Sequence, residues 1–251
     1  MRQTIAAVLL AGCLGAGVAT TPVRAADLVV AALGPTNFVM TALVPIFEAA
    51  TASRVAITYE NGAALVSKVK SGGDLDLVIL PPQAIDDLLK DGKIAGGRTD
   101  LFVSGVGLAV KAGAPKPDIS SADALKRTLL AAKSVAHSRA QSGIYFLSVL
   151  ERLGIADQMK SKLVVVESGP VGVAAAKGDA EIAIQQVTEL MPVIGVDVVG
   201  PLPAELQTKI LYSAGIPVSA KQPEAAQALI KFFASPVAAP VIKARGLAPA
   251  S

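Results

Sequence analysis

Four stretches of the chain place small, hydrogen-bonding residues where an apolar run gives way to helical periodicity: Gly34-Pro35-Thr36-Asn37, Asn61-Gly62-Ala63, Gln141-Ser142-Gly143 and Ser168-Gly169-Pro170-Val171. The first turn of a helix carries N–H groups with no intrahelical acceptor and the positive end of the helix dipole. Several such turns brought together hold an anion without any lysine. Glycine at these places lets the backbone approach a ligand closely. Taken singly, each turn is equally an ordinary capped connection between a strand and a helix, and only a fold that gathers them makes a site. Gly34, Thr36, Gly62, Ser142, Gly143 and Ser168 are the candidate ligand-binding residues from this set.

Three further groups carry chemistry. Arg139 follows a short apolar run and precedes the third turn, where it either pairs bidentately with a ligand carboxylate or stands as a solvated loop arginine. His137, the one histidine, lies on the same segment; by unperturbed pKa it suits a general base, with Glu60 and Glu189 as competitors, although a lone histidine is as readily a packed residue. Gln185-Gln186-Val187-Thr188-Glu189 puts two amides and a carboxylate at the end of an apolar strand. Buried amides need partners, so Gln186 reads as a ligand or interlobe contact, or else as a hinge residue capping backbone. The pairs Asp74/Asp76 and Asp86/Asp87 have the residue type of a glycosidase or metal site, but adjacent turn glycines and helical spacing favour solvation and capping. G-x-S-x-G, Walker, G-x-G-x-x-G and H-E-x-x-H patterns are absent from the sequence.

The elements that must position these residues alternate in type, as in an α/β protein with mostly parallel sheets. Strands are expected at 28–32, 55–59, 75–80, 103–110, 134–137, 163–166, 182–185 and 196–199. Helices are expected at 36–50, with Phe38, Leu43 and Phe47 on one side, at 63–70, at 85–90, and at 143–153, with Ile144, Leu147 and Leu150 on one side. After Pro201-Leu202-Pro203 come a strand at 209–218 and two proline-opened helices at 223–234 and 236–244.

Composition narrows the classes. With 52% hydrophobic residues and 17% charged, a chain of 251 residues can bury a large core. A net charge of +3 with scattered basic residues and 4% aromatics excludes a nucleic-acid surface and points to a small partner. One cysteine and one histidine exclude a disulfide framework or a zinc site of several His and Cys ligands, so neither metal nor cofactor is expected. Residues 1–25 read as a cleavable signal peptide: Arg2, an apolar run from Ile5 to Ala19, then Val23-Arg24-Ala25. Leu10-Ala11-Gly12-Cys13 also fits a lipoprotein box, which would lipidate Cys13. Removing 1–25 leaves 21 basic and 20 acidic residues, a net charge of +1, in a periplasmic protein.

Ala31-Ala32 before a helix-opening turn, Leu75-Asp76-Leu77-Val78, and Ser142-Gly143-Ile144-Tyr145 opening a helix resemble the periplasmic molybdate-binding proteins of ABC transporters. Gly113-Ala114-Pro115-Lys116-Pro117-Asp118-Ile119-Ser120, Ser134-Val135-Ala136-His137-Ser138 and Ile184-Gln185-Gln186-Val187-Thr188-Glu189-Leu190 are similar to the side branch that includes bacterial aconitate isomerase. Gly195-Val196-Asp197 and Val199-Gly200-Pro201-Leu202-Pro203 extend that similarity.

The resemblance implies the type II periplasmic binding fold: two α/β lobes, two crossing strands and a ligand cleft between lobes. It implies lobe 1 at 26–105 plus 209–251 and lobe 2 at 106–208. In the molybdate binders, serines of the first two turns and a tyrosine of the second lobe donate to the oxyanion. Those positions fall here on Gly34, Gly62 and Gln186, so three side-chain donors are missing. Two activities are implied: a monomeric solute-binding protein that delivers a small oxyanion or organic polycarboxylate to an ABC-type permease, or a cofactor-free aconitate isomerase with His137 as the first-choice base.

Overall fold

The computed structural model describes residues 27–250; the expected signal peptide at 1–25, with Cys13, lies outside the described residues. The chain first lays down β1 (Asp27–Leu33), α1 (Asn37–Thr51), β2 (Arg54–Glu60), α2 (Gly62–Lys70), β3 (Leu77–Leu80), α3 (Pro82–Lys90) and β4 (Ile94–Ser104). It crosses at Gly105 into β5 (Val106–Lys111), α4 (Ala122–Ala131), β6 (Val135–Ser138), α5 (Gln141–Arg152), α6 (Ala156–Met159), β7 (Leu163–Val166), α7 (Gly172–Lys177), β8 (Ile182–Gln186), α8 (Val187–Leu190) and β9 (Val196–Pro201). It then returns through β10 (Ile210–Pro217), α9 (Pro223–Phe233), α10 (Ala238–Ala244) and β11 (Leu247–Pro249).

Two sheets result, ordered β11-β4-β10-β3-β1-β2 and β7-β6-β8-β5-β9. Each contains a parallel trio in the order second, first, third strand, followed by a strand delivered from the other half of the chain. β10 runs antiparallel to β3 and β4, and β5 antiparallel to β8 and β9. The sheets are therefore mixed rather than mostly parallel, because each crossing strand enters from the opposite end. Helices cover both faces of each sheet, as the continuous burial of β3, β6 and β8 requires.

The structure splits the expected strand at 103–110. Gly105 separates β4 from β5, and β4 extends back to Ile94 through Ala95-Gly96-Gly97, a glycine-rich stretch where the register with β10 shifts. α4, which the sequence reading did not name, is opened by Ser121, whose hydroxyl accepts from Ala124 N–H at 3.1 Å. Two helix faces also differ from expectation. On α1 the buried stripe is Val39, Met40, Leu43, Val44 and Phe47; Phe38 lies five residues before Leu43, about 140° around the helix, and is only half-buried. On α5, Ile144 is 64% exposed and Leu147 38%, while Gly143, Phe146, Val149 and Leu150 face the sheet.

The α5 face is set by Gly143. A Cβ there would sit 1.7 Å from the Ser138 carbonyl oxygen, so helix and strand approach at glycine distance. Asp76 is a second local determinant: it is buried and its carboxylate accepts from the N–H groups of Val29 (2.9 Å), Lys221 (2.9 Å) and Gln222 (2.8 Å), which staples β1 to the start of α9. Asp74 is exposed and pairs with Lys221. Neither aspartate belongs to a catalytic carboxylate pair.

Gly143→Ala should cost about 3 kcal/mol, the upper end of overpacking penalties, because the clash is with backbone and no rotamer relieves it. Urea unfolding should show a lower midpoint at unchanged slope; an unchanged midpoint would mean that α5 is free to shift.

Candidate functional site

Parallel pairing places all four glycine turns at the carboxyl ends of their strands. Leu33 is level with Glu60 across β1 and β2, so the turns that open α1 and α2 are neighbours. Ser138 is level with Val166 across β6 and β7, which sets the turn before α5 beside the turn before α7. Carboxyl ends of such strands are where α/β folds hold ligands.

A cavity of about 470 Å³ lies between the two halves. One wall is the β1–α1 junction: Gly34, Pro35, Asn37, Phe38 and Thr41. The facing wall comes from the second sheet's half: Gly169 and Pro170 before α7, Thr188 and Glu189 on α8, and Pro192 after it. Asn37, exposed at the mouth, makes no side-chain hydrogen bond among the described residues, and α1 opens beside it through a 3-10 turn, Gly34–Thr36, in which the Asn37 backbone N–H donates to Gly34 O. Thr188 is buried, yet its hydroxyl has no hydrogen-bond partner among the described residues. A buried polar atom left unpaired on a cavity wall is the mark expected of a ligand contact.

Glu189 supplies the charged chemistry of the wall. Burial pushes its carboxyl up to about 7, against the opposing pull of hydrogen bonds from the Gln185 side chain and the Gln186 backbone. Gln185 holds it in place: Nε2 donates to Glu189 Oε1 at 2.8 Å, while Oε1 accepts from Val171 N–H, also at 2.8 Å, just ahead of α7. Gln186 bridges the halves instead. It accepts at Oε1 from the Tyr212 hydroxyl of β10 at 2.6 Å, and burial raises the pKa of that phenol, which keeps it a donor.

Of the residues singled out in the sequence, Gly34 lines the cavity, as does Glu189, named as a competing base. Thr36 is buried beneath the same wall, its hydroxyl donating to Leu33 O at 2.7 Å. Gly62 opens α2, where Asn61 accepts from Ala64 N–H at 2.9 Å, and it is not on the cavity wall. Ser142 and Gly143 are packed in the first turn of α5 against β6. Ser168 is exposed beside Gly169 and borders a separate cavity of about 280 Å³.

Arg139 turns outward to a bidentate pair with Glu167 (2.7 and 2.9 Å), and the two side chains are 69% and 65% exposed. His137 is buried beneath α5, with Nδ1 3.0 Å from the Ser138 carbonyl and its ring 6.0 Å from that of Phe146, off the cavity wall. Glu60 pairs with Lys68 at 3.1 Å. Among the described residues no cluster of three or more His, Cys, Asp or Glu could hold a metal, and no single helix is long and apolar enough to cross a membrane.

Sequence reasoning missed Phe38, Thr41 and Pro192, and it passed over Thr188 inside the Gln185–Glu189 run. For Phe38 a signal existed: five residues separate it from Leu43, a spacing that no single helical face accommodates.

A family model described as bacterial extracellular solute-binding protein matches residues 28–248. An aconitate isomerase of a Pseudomonas species is 35% identical over 92% of this chain and 92% of its own length. The molybdate-binding protein ModA of Azotobacter vinelandii is 28% identical over 93% of this chain and 94% of its own. The solved structure of the Azotobacter vinelandii periplasmic molybdate-binding protein superposes with a TM-score of 0.71 at 19% identity, covering 88% of this chain and 98% of that one. Matched by that family model along almost its whole described length, the chain belongs to the bacterial extracellular solute-binding protein family.

Proposed function

We propose that the protein is a periplasmic binding protein for a small organic polycarboxylate, which it holds between its lobes and delivers to an ABC-type permease. The observation that carries this reading is the cavity wall itself. It sets the α1 amino terminus and the Asn37 amide opposite the unpaired Thr188 hydroxyl and a Glu189 carboxyl that is protonated below about pH 7. These are hydrogen-bond donors spread over a volume suited to an extended organic ligand. The glycines at 34 and 62, where the molybdate binders carry serines, weaken the case for a compact tetrahedral oxyanion. The leader-like residues 1–25 support export, and the family supports the permease partner. Ligand contacts made to both walls at once favour the closed arrangement of the lobes.

One observation favours a second reading, isomerisation of aconitate. Its base must take a proton from the methylene carbon allylic to the double bond. The electron pair then delocalises toward a carboxylate, and the proton is returned to the far allylic carbon, with no cofactor or net redox change. Glu189, poised near neutrality on the wall, is placed for that role, whereas His137 is packed beneath α5. The similarity to an aconitate isomerase lends support.

Tricarballylate, citrate and the aconitates should raise Tm by roughly 5–10 °C at a hundredfold excess over Kd, corresponding to about 2.7 kcal/mol, and molybdate, tungstate and sulfate by much less. The reverse order would overturn the polycarboxylate assignment. Proton NMR of cis-aconitate incubated with the protein separates the two readings. An unchanged spectrum assigns binding alone; growth of the trans isomer, abolished by Glu189→Gln with binding retained, assigns turnover.

Glu189 also sets a pH dependence. Its folded pKa of about 7 exceeds the ordinary carboxyl value of 4.5, so the native state favours the protonated form. The associated stability is fully present below pH 4.5 and is lost as pH rises through 7, about 3 kcal/mol in all. Denaturant titrations from pH 5 to 8 should show this decline in the wild type and its absence in Glu189→Gln. Equal slopes would show that Glu189 is not the titrating group.

A further inference from the structure

If the cleft holds a polycarboxylate, one feature of its lining is incomplete: among the described residues its one charged lining residue is Glu189, and no basic side chain lines it. A ligand with two or three carboxylates needs a countercharge beyond a helix dipole of about half an elementary charge. Arg139, the cation singled out from the sequence, is paired with Glu167, and Arg98 is paired with Asp86 and Asp100.

Arg245 is differently placed. Its guanidinium carbon lies 4.4 Å from the ring centroid of Phe38, the aromatic residue of the cavity wall. Among the described residues it forms no ion pair; the eight pairs present involve other side chains. The turn that carries it is fixed against the opposite wall. Gly246 has φ +77°, and a Cβ there would meet Met191 Sδ at 2.8 Å, Val187 Cγ1 at 2.9 Å and the Thr188 nitrogen at 3.6 Å. The α10–β11 turn is thus seated directly on α8, which bears Thr188 and Glu189, while the Arg245 side chain reaches Phe38 on the first wall.

We infer that Arg245 is the cationic anchor for a ligand carboxylate and that it selects organic polycarboxylates over compact oxyanions. The inference rests on the polycarboxylate-binding reading above. A guanidinium stacked on an aromatic face keeps its in-plane N–H groups free, and those five donors match a carboxylate in bidentate geometry. The Phe38 ring orders the long side chain before ligand arrives, which reduces the entropy lost on binding. Its place at the seam between the walls lets it serve one carboxylate of an extended ligand while Thr188, Glu189 and the α1 terminus serve the others. A tetrahedral oxyanion seated at the α1 terminus has no second anionic group to reach it.

The test is calorimetric titration of the wild type, Arg245→Ala and Arg245→Lys with tricarballylate and with the two dicarboxylates that each lack one of its carboxylates, glutarate and methylsuccinate. The wild type should prefer tricarballylate over at least one dicarboxylate by about 30-fold, within the range of a charge-assisted hydrogen-bonded pair. Arg245→Ala should lose that preference by weakening tricarballylate while the dicarboxylate that lacks the anchored carboxylate keeps its wild-type affinity, and Arg245→Lys should recover part of it. Free-protein Tm values should fall by no more than about 4 °C, the loss of the Phe38 contact, since Arg245 holds no ion pair in the fold. Tricarballylate affinity within twofold of wild type in Arg245→Ala, or equal weakening of all three ligands, would overturn the anchor role. Failure of the wild type to bind any of the three would overturn the polycarboxylate reading itself, and the anchor with it.

Discussion

Val106 gives both its backbone polar groups to the place where the chain passes between lobes. Its N–H donates to Gln207 Oε1 at 2.9 Å, and its carbonyl accepts from Gln207 Nε2 and from Leu202 N–H, each at 2.9 Å. One side-chain amide thus substitutes for a strand partner and ties the outgoing crossing at Gly105 to the returning segment before β10. Gly105 is matched to it: a Cβ there would stand 3.1 Å from the Gln207 amide. Buried backbone groups must be paired, and here the pairing also fixes the height at which each sheet starts relative to the other. The facing of the two cavity walls depends on that height. Tyr212 and Gln186 add a second tie a short way along, and Val187 N–H donates to Gly105 O at 3.0 Å directly below the Thr188–Glu189 wall.

The electrostatics of the cleft follow from this frame. On the proposed reading, a chain with nearly balanced charge would hold its anion with aimed groups rather than by net basicity. The α1 terminus is aimed by β1, the Glu189 carboxyl by Gln185, and the Arg245 guanidinium by Phe38. Burial gives Glu189 the property that matters: near neutrality it exchanges between donor and base, so the same carboxyl can greet an anionic ligand or take a proton from it. Binding and turnover are neighbouring outcomes of a single arrangement, which is consistent with the chain's similarity both to an aconitate isomerase and to a molybdate-binding protein.

The fold was largely legible because period and punctuation agree. Apolar runs ending in Gly, Asn or Ser turns gave the parallel trios, and Pro223 marked the start of α9. Mixed sheet direction was not legible, since direction is a property of which strand arrives from which side. Of the four glycine turns the sequence marks, those at Gly34 and Gly169 line the cavity and those at Gly62 and Gly143 do not; Glu189 is legible as a charged candidate, whereas the surroundings of the arginines are not. Arg139 and Arg245 look alike in sequence; what separates them is a partner 28 residues away in one case and an aromatic perch from the far end of the chain in the other. His137 is a residue type suited to a base but its strand turns it under α5, off the cavity wall.

The central claim, that the cleft between these walls holds an organic polycarboxylate, is tested most directly by a crystal structure of the protein grown with tricarballylate. The account predicts ligand density between the Gly34–Phe38 junction and Thr188–Glu189, with carboxylate oxygens within hydrogen-bond distance of the Asn37 amide and the Thr188 hydroxyl. A fully ordered cleft without the ligand at saturating concentration, or ligand seated elsewhere, would contradict it.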